Sequence, residues 1–91
     1  GCDYIALHRS DIASYRPGRS YDIVLANLVT DVIIANLGAL IDLLAANGTL
    51  IASGVSEGRD DLANEVFRAR GLRLLDSARH DGWCGYLLRK G

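Results

Sequence analysis

Apolar residues in this chain come first as short unbroken runs between loop signals and then at helical spacing. Tyr4-Ile-Ala-Leu-His8 is one such run, closed by Arg9-Ser10-Asp11, and it predicts a strand. Arg16-Pro17-Gly18-Arg19-Ser20 is a loop signal before the next run. Asp22-Ile-Val-Leu-Ala26 is continuous rather than alternating, the pattern of a strand covered on both faces in a parallel sheet flanked by helices. Thr30 or Asp31 is placed to cap a helix in which Ile33, Leu37, Leu40, Ile41 and Leu44 recur at helical spacing. Asn47-Gly48 closes it, because glycine tolerates the left-handed conformation that a helix stop commonly needs.

Thr49-Leu-Ile-Ala-Ser53 predicts another covered strand, and the loop Gly54-Val-Ser-Glu-Gly58 leads into a second helix. Asp60 and Asp61 fall in its first turn and Arg68 and Arg70 in its last, each complementing the helix dipole. Leu62, Val66 and Ala69, with Ala63 and Phe67, form its expected buried stripe, and Gly71 ends it. Leu72 to Arg79 and Trp83 to Arg89 flank His80-Asp81-Gly82, a strong hairpin signal. The order is strand, strand, helix, strand, helix, hairpin. It predicts one α/β domain over residues 1–91, with an antiparallel pair at its end.

Composition narrows the partners. Ten basic residues against eleven acidic ones leave a net charge of -1, so no broad electrostatic footprint draws nucleic acid or a membrane surface. The longest apolar stretch, Val32 to Ala46, is interrupted by Asn36, Gly38 and Asp42 and is too short to span a bilayer. No stretch reads as a signal segment. Cys2 and Cys84 lie at opposite ends without C-x-x-C spacing, so no zinc or redox motif is indicated. Reduced thiols in the cytoplasm are the expectation, with a disulfide between the two left open. The chain opens on Gly1 and has no methionine, which reads as a fragment of something longer.

Ligands of open α/β sheets bind beyond the carboxyl ends of the strands, and Asn27 occupies such a place. Its carboxamide can orient a ligand without adding charge, or it can simply bond local backbone in the turn. Gly54-Val-Ser56-Glu-Gly58 matches the G-x-S-x-G nucleophile elbow, with Asp76 and His80 downstream. The charged opening of the next helix and the lack of an oxyanion loop weigh against a hydrolase. His8 and His80 have no third ligand nearby. Trp83 is expected to anchor the hairpin from the core. No glycine-rich dinucleotide or phosphate loop is present.

Taken in order, Tyr21-Asp22 into a strand ending Ala26-Asn27-Leu28, then Asn47-Gly48-Thr49-Leu50, Ser53-Gly54-Val55, Gly71-Leu72 and Asp81-Gly82-Trp83 resemble the carboxyl-terminal half of a class I S-adenosylmethionine-dependent methyltransferase. Within that class the chain is most similar to the methyltransferases of large-subunit ribosomal protein eleven. The resemblance runs over residues 20 to 90 and, more loosely, around Ser10-Asp11. It implies a partial Rossmann-like methyltransferase sheet flanked by helices and ending in an antiparallel hairpin.

It also implies that Asn27 is catalytic and faces both the donor and the acceptor nitrogen, and that Leu28 contacts the cofactor. Leu28 and Val29 stand where amino-methylating relatives commonly have a proline and an aromatic residue. Ser10 and Asp11 are implied cofactor contacts beside the adenine, although Asp11 is equally suited to forming a turn. The parent is then an enzyme that uses S-adenosylmethionine to methylate amino groups of a large-subunit ribosomal protein, without contacting nucleic acid directly. The donor's glycine-rich loop would precede Gly1, so this chain alone is expected to be inactive. Another class I methyltransferase with a different acceptor, and a non-catalytic module that self-associates through an exposed sheet edge, remain open as alternatives.

Overall fold

The computed structural model describes residues 4–7 and 20–90. His8, Ser10, Asp11 and Cys2 lie outside the described residues. Five strands form one sheet in the order β1-β2-β3-β5-β4, with β1 at Tyr4–Leu7, β2 at Tyr21–Asn27, β3 at Leu44–Ser56, β4 at Leu72–His80 and β5 at Trp83–Lys90. The first three are parallel; β5 runs antiparallel to both β3 and β4. Helix α1, Thr30–Asp42, joins β2 to β3, and a single 3-10 turn, Glu57–Arg59, leads into α2, Asp60–Ala69. The expected α/β architecture and element order are those observed.

Both helices pack on the same face of the sheet. In register across the strands, Val24, Leu50 and Leu88 form one buried row and Ala26, Ala52 and Tyr86 the next. Ile33, Leu37 and Leu40 of α1 and Ala63 and Phe67 of α2 join these rows in a single core. Phe67 and Tyr86 meet edge to face with ring centroids 5.2 Å apart, an arrangement that suits the aromatic quadrupoles. Ile23 and Leu25, pointing the other way on β2, are half-buried. The strand was expected to be covered on both faces; among the described residues, helices cover one.

Local signals are overruled at several ends. Helix α1 stops at Asp42 rather than at Asn47-Gly48, and Leu43 follows in right-handed conformation. Leu44 already pairs with Tyr21, so it enters the sheet buried instead of extending the helical stripe. Asn47, at φ 61, turns the chain inside the irregular start of β3. Helix α1 has no basic residue in its last turn, and Lys90 of β5 supplies one. Its ammonium donates to Leu44 O at 3.0 Å and Ile41 O at 3.3 Å, where the dipole favours a cation.

Neither Thr30 nor Asp31 caps α1: Val29 is the cap residue, and no side chain bonds the free amides. Thr30 is instead buried, its hydroxyl accepting from the Ser56 amide at 3.2 Å. On α2, Leu62 and Ala69 are exposed and only Ala63 and Phe67 are fully buried, so the stripe is narrower than expected. The hairpin forms where Asp81-Gly82 places it, both residues having positive φ (50 and 82) as the tight two-residue turn requires. At the sheet edges lie β1, of which four residues are described, and β4, which has a bulge after Leu74 and exposed Arg73, Asp76 and Arg79.

Candidate functional site

A crevice lies at the carboxyl ends of β2 and β3, beside the entry to α1. Asn27 is the last residue of β2 and stands in register with Ser53 of β3. One bond more, Leu28 N to Ser53 O at 2.9 Å, carries the parallel pairing just beyond the strand. Gly54 then lies directly against the Leu28–Val29 peptide. A Cβ there would sit 2.6 Å from Leu28 O and 3.4 Å from Asn27 Oδ1, and its φ of +98 is itself a conformation that favours glycine.

Asn27, Leu28, Val29, Gly54 and Trp83 line a cavity of about 400 Å³. Leu28 is its buried floor, while Asn27, Val29 and Trp83 are exposed at its mouth. Among the described residues, none donates to or accepts from the Asn27 carboxamide, so the side chain is not consumed by its own turn. No lining residue carries a charge. Such a wall can orient and desolvate a bound group, but it contains no proton acceptor for general-base catalysis.

Trp83 is not the core anchor that the sequence suggested. It is 52% exposed and faces the same side as Asn27, because Cys84, Tyr86 and Leu88 take the inward positions of β5. The hairpin tip that carries it is held in place by Glu57 N donating to Gly82 O at 2.8 Å. Behind the tip, Arg79 donates to Glu57 and Asp60 at 3.2 Å each, and the Tyr86 hydroxyl donates to Asp60. Burial, reinforced by that bond to Asp60, pushes the Tyr86 phenol well above its ordinary range. The Asp60 hydrogen bond and the Glu57 charge hold the Arg79 guanidinium still more firmly protonated. Nearby, Arg59 pairs with Asp31 at 2.9 Å, tying the starts of the two helical segments together.

The nucleophile-elbow pattern does not assemble. Ser56 and His80 fall in one row with Trp83 between them, two strand spacings or about 9.5 Å apart. His80 pairs with its neighbour Asp81, and Asp76 accepts from the Ser77 amide. Of the residues expected at the site, Asn27 and Leu28 come together, whereas Ser10 and Asp11 fall outside the described residues. Gly54 and Trp83 are the additions that the crevice makes.

A family model described as ribosomal protein L11 methyltransferase (PrmA) matches residues 4–91. The chain belongs to this family. A ribosomal protein L11 methyltransferase of Moorella thermoacetica is 29% identical over 87 residues, covering 96% of this chain and 27% of that relative. The chain therefore spans about a quarter of the length of the curated family members it matches. Among solved structures, a ribosomal protein L11 methylase from Lactobacillus delbrueckii subsp. bulgaricus superposes with a TM-score of 0.79 at 17% identity, over 89% of this chain and 42% of that one. The T. thermophilus 16S rRNA N2 G1207 methyltransferase, in complex with AdoMet and guanosine, gives 0.59 at 21% identity, over 78% and 20%. These likenesses establish for this chain the Rossmann-like fold of such methyltransferases.

Proposed function

We propose that this chain is part of a cytoplasmic, S-adenosylmethionine-dependent enzyme that methylates amino groups of ribosomal protein L11. On this proposal Asn27 and Leu28 form the wall against which donor and acceptor meet, with Asn27 as the catalytic positioning group. The observation that carries it is the unbonded Asn27 carboxamide in an uncharged crevice at the end of a parallel strand, in a chain of this family.

The residues present fit the reacting end of the donor. An uncharged wall imposes no like charge on a sulfonium, and the exposed indole of Trp83 offers a π face to a cation. S-adenosylmethionine, when bound, supplies an electrophilic methyl group on a positively charged sulfur. An amine takes that methyl only through a free lone pair, and a lysine at its ordinary pKa is almost wholly protonated at neutral pH. The apolar surfaces of Leu28 and Val29 favour the neutral amine by withholding water. The carboxamide oxygen of Asn27 can accept an N–H from that amine and so aim its lone pair. Ser10 and Asp11 are assigned to the adenosine end of the donor by the family resemblance alone.

The test is a chimera in which residues 4–90 replace the matching segment of the Moorella thermoacetica relative. With labelled S-adenosylmethionine, the chimera is expected to methylate L11. Its Asn27→Ala variant is expected to lose kcat by about 10²-fold or more, the scale of a misplaced reacting group. Unchanged kcat and KM for both substrates would remove Asn27 from the mechanism. The 91-residue chain alone is expected not to bind the donor, and micromolar binding in a calorimeter would contradict the incomplete-site expectation.

A further inference from the structure

Two chain segments frame the crevice. One is Asn27-Leu28-Val29 after β2; the other is the end of the β3–β5 pair, where Ser56 stands opposite Trp83. The pairing of β2 with β3 finishes with Leu28 N donating to Ser53 O, and the register of β3 against β5 shifts between Ser53 and Val55, at Gly54. Since β2 has ended by then, the Ser56 amide has no ladder partner on that side. Thr30, the first residue of α1, supplies one: its hydroxyl accepts from Ser56 N at 3.2 Å, across 26 residues of chain.

A threonine at a helix start would ordinarily cap its own helix or face water. Thr30 does neither, being only 5% exposed. A buried polar group left unmatched is costly, so this bond resists breaking. A second link, Arg59 to Asp31 at 2.9 Å, joins the same two regions, but its side chains are 42% and 78% exposed and solvent weakens its hold. The buried hydroxyl is the firmer tie. The next amide along reaches the other wall, with Glu57 N donating to Gly82 O at 2.8 Å beside Trp83. Two consecutive amides of one corner therefore hold both sides of the crevice.

We propose that Thr30 is a positioning residue for methyl transfer: through its bond to the Ser56 amide it fixes the separation of Asn27 on one wall from Trp83 on the other. This rests on the placement of Asn27 at the reacting centre. Thr30 does not line the crevice, so its hydroxyl acts only through the residues it holds. It follows Asn27 by three residues, and a shift of the first turn of α1 carries Asn27, Leu28 and Val29 with it.

The test compares Thr30→Val, which keeps the shape and deletes the hydroxyl, with Thr30→Ser, which keeps the hydroxyl. Trp83 is the only tryptophan of the 91-residue chain, so its emission reports on its wall alone. Acrylamide is expected to quench it more readily in Thr30→Val and as in the parent chain in Thr30→Ser. In the chimera, Thr30→Val is expected to lower kcat about tenfold or more, within the scale of a misplaced reacting group, and Thr30→Ser to restore most of it. In an Asn27→Ala background the same substitution should cost less than about threefold, because nothing is left for it to position. Circular dichroism checks that each variant is folded, and Thr30→Ala is read in place of Thr30→Val if the latter is not. Full kcat in Thr30→Val alongside a loss in Asn27→Ala, equal losses in the two backgrounds, or quenching that Thr30→Val leaves unchanged would each overturn the inference. Full kcat in Asn27→Ala would overturn the reading beneath it, and the inference with it.

Discussion

The two faces of one sheet carry different kinds of information. Across β2, β3 and β5 the helix face is buried, closed by Phe67, Tyr86 and the α1 leucines, and its residues are constrained by packing. The opposite face carries an apolar band of Leu25, Ile51 and Leu87 and ends in an uncharged crevice. Along β5 the two interleave residue by residue, with Cys84, Tyr86 and Leu88 turned inward and Trp83, Gly85 and Leu87 outward. Close packing is therefore concentrated on one side of the backbone and the crevice-facing residues on the other, alternating at about 3.3 Å of chain per residue.

The largest break in that contrast comes from Phe67→Ala. The ring is buried against Tyr86 between the sheet and α2, and its loss should cost about 3–5 kcal/mol. That is comparable with the whole stability of a domain this size, so urea denaturation should find the variant largely unfolded. Leu25→Ala on the open face should cost about 1–2 kcal/mol, because part of that side chain is already in water. Equal losses would mean that the open face is already a packed core.

Gly54→Ala acts where the two faces meet. The added methyl would press on Leu28 O in a conformation that disfavours a side chain, at an expected cost of about 1–3 kcal/mol. Relief would move the Asn27–Leu28 turn. In the chimera, methyl transfer should fall further than the stability loss explains, and a variant with full kcat would show that the turn tolerates displacement.

Tyr86 offers a pH-dependent version of the same contrast. Its phenol is held protonated in the fold, so below its ordinary pKa of about 10 both folded and unfolded chains keep the proton and its contribution is intact. Above that, the unfolded chain releases the proton while the fold retains it. Stability should then fall by up to about 1.4 kcal/mol per pH unit through this group. Thermal melts at rising alkaline pH should show a shallower decline in Tyr86→Phe. The same slope in both proteins would place the alkaline sensitivity elsewhere.

What the sequence revealed follows how local each signal is. The Asp81-Gly82 hairpin, the Asp60 start of α2 and the end of β2 at Asn27 depend on a few neighbouring residues, and all appear where expected. The ends of α1 depend on distant groups. Lys90 reaches its carboxyl end from the far end of the chain, and Ser56 draws Thr30 away from its capping role. The outward turn of Trp83 was present as a period of two in β5, but its phase is fixed only once Tyr86 is known to meet Phe67. Gly54 gave no sign of its close approach to Leu28, which exists only when β2 and β3 are paired.

The smallest effect on the fold should come from Trp83→Ala, and it separates the faces most cleanly. Half of the indole is already exposed, so removing it should cost about 1 kcal/mol in urea denaturation. Its position at the crevice mouth predicts a larger effect on the chimera, since the π face beside Asn27 and Gly54 is lost. Trp83→Phe keeps a π face of reduced size and should restore most of the transfer, whereas Trp83→Leu should restore stability without it. If Leu rescues transfer as well as Phe does, the residue serves only as an apolar wall, and the cation-binding part of its assignment falls.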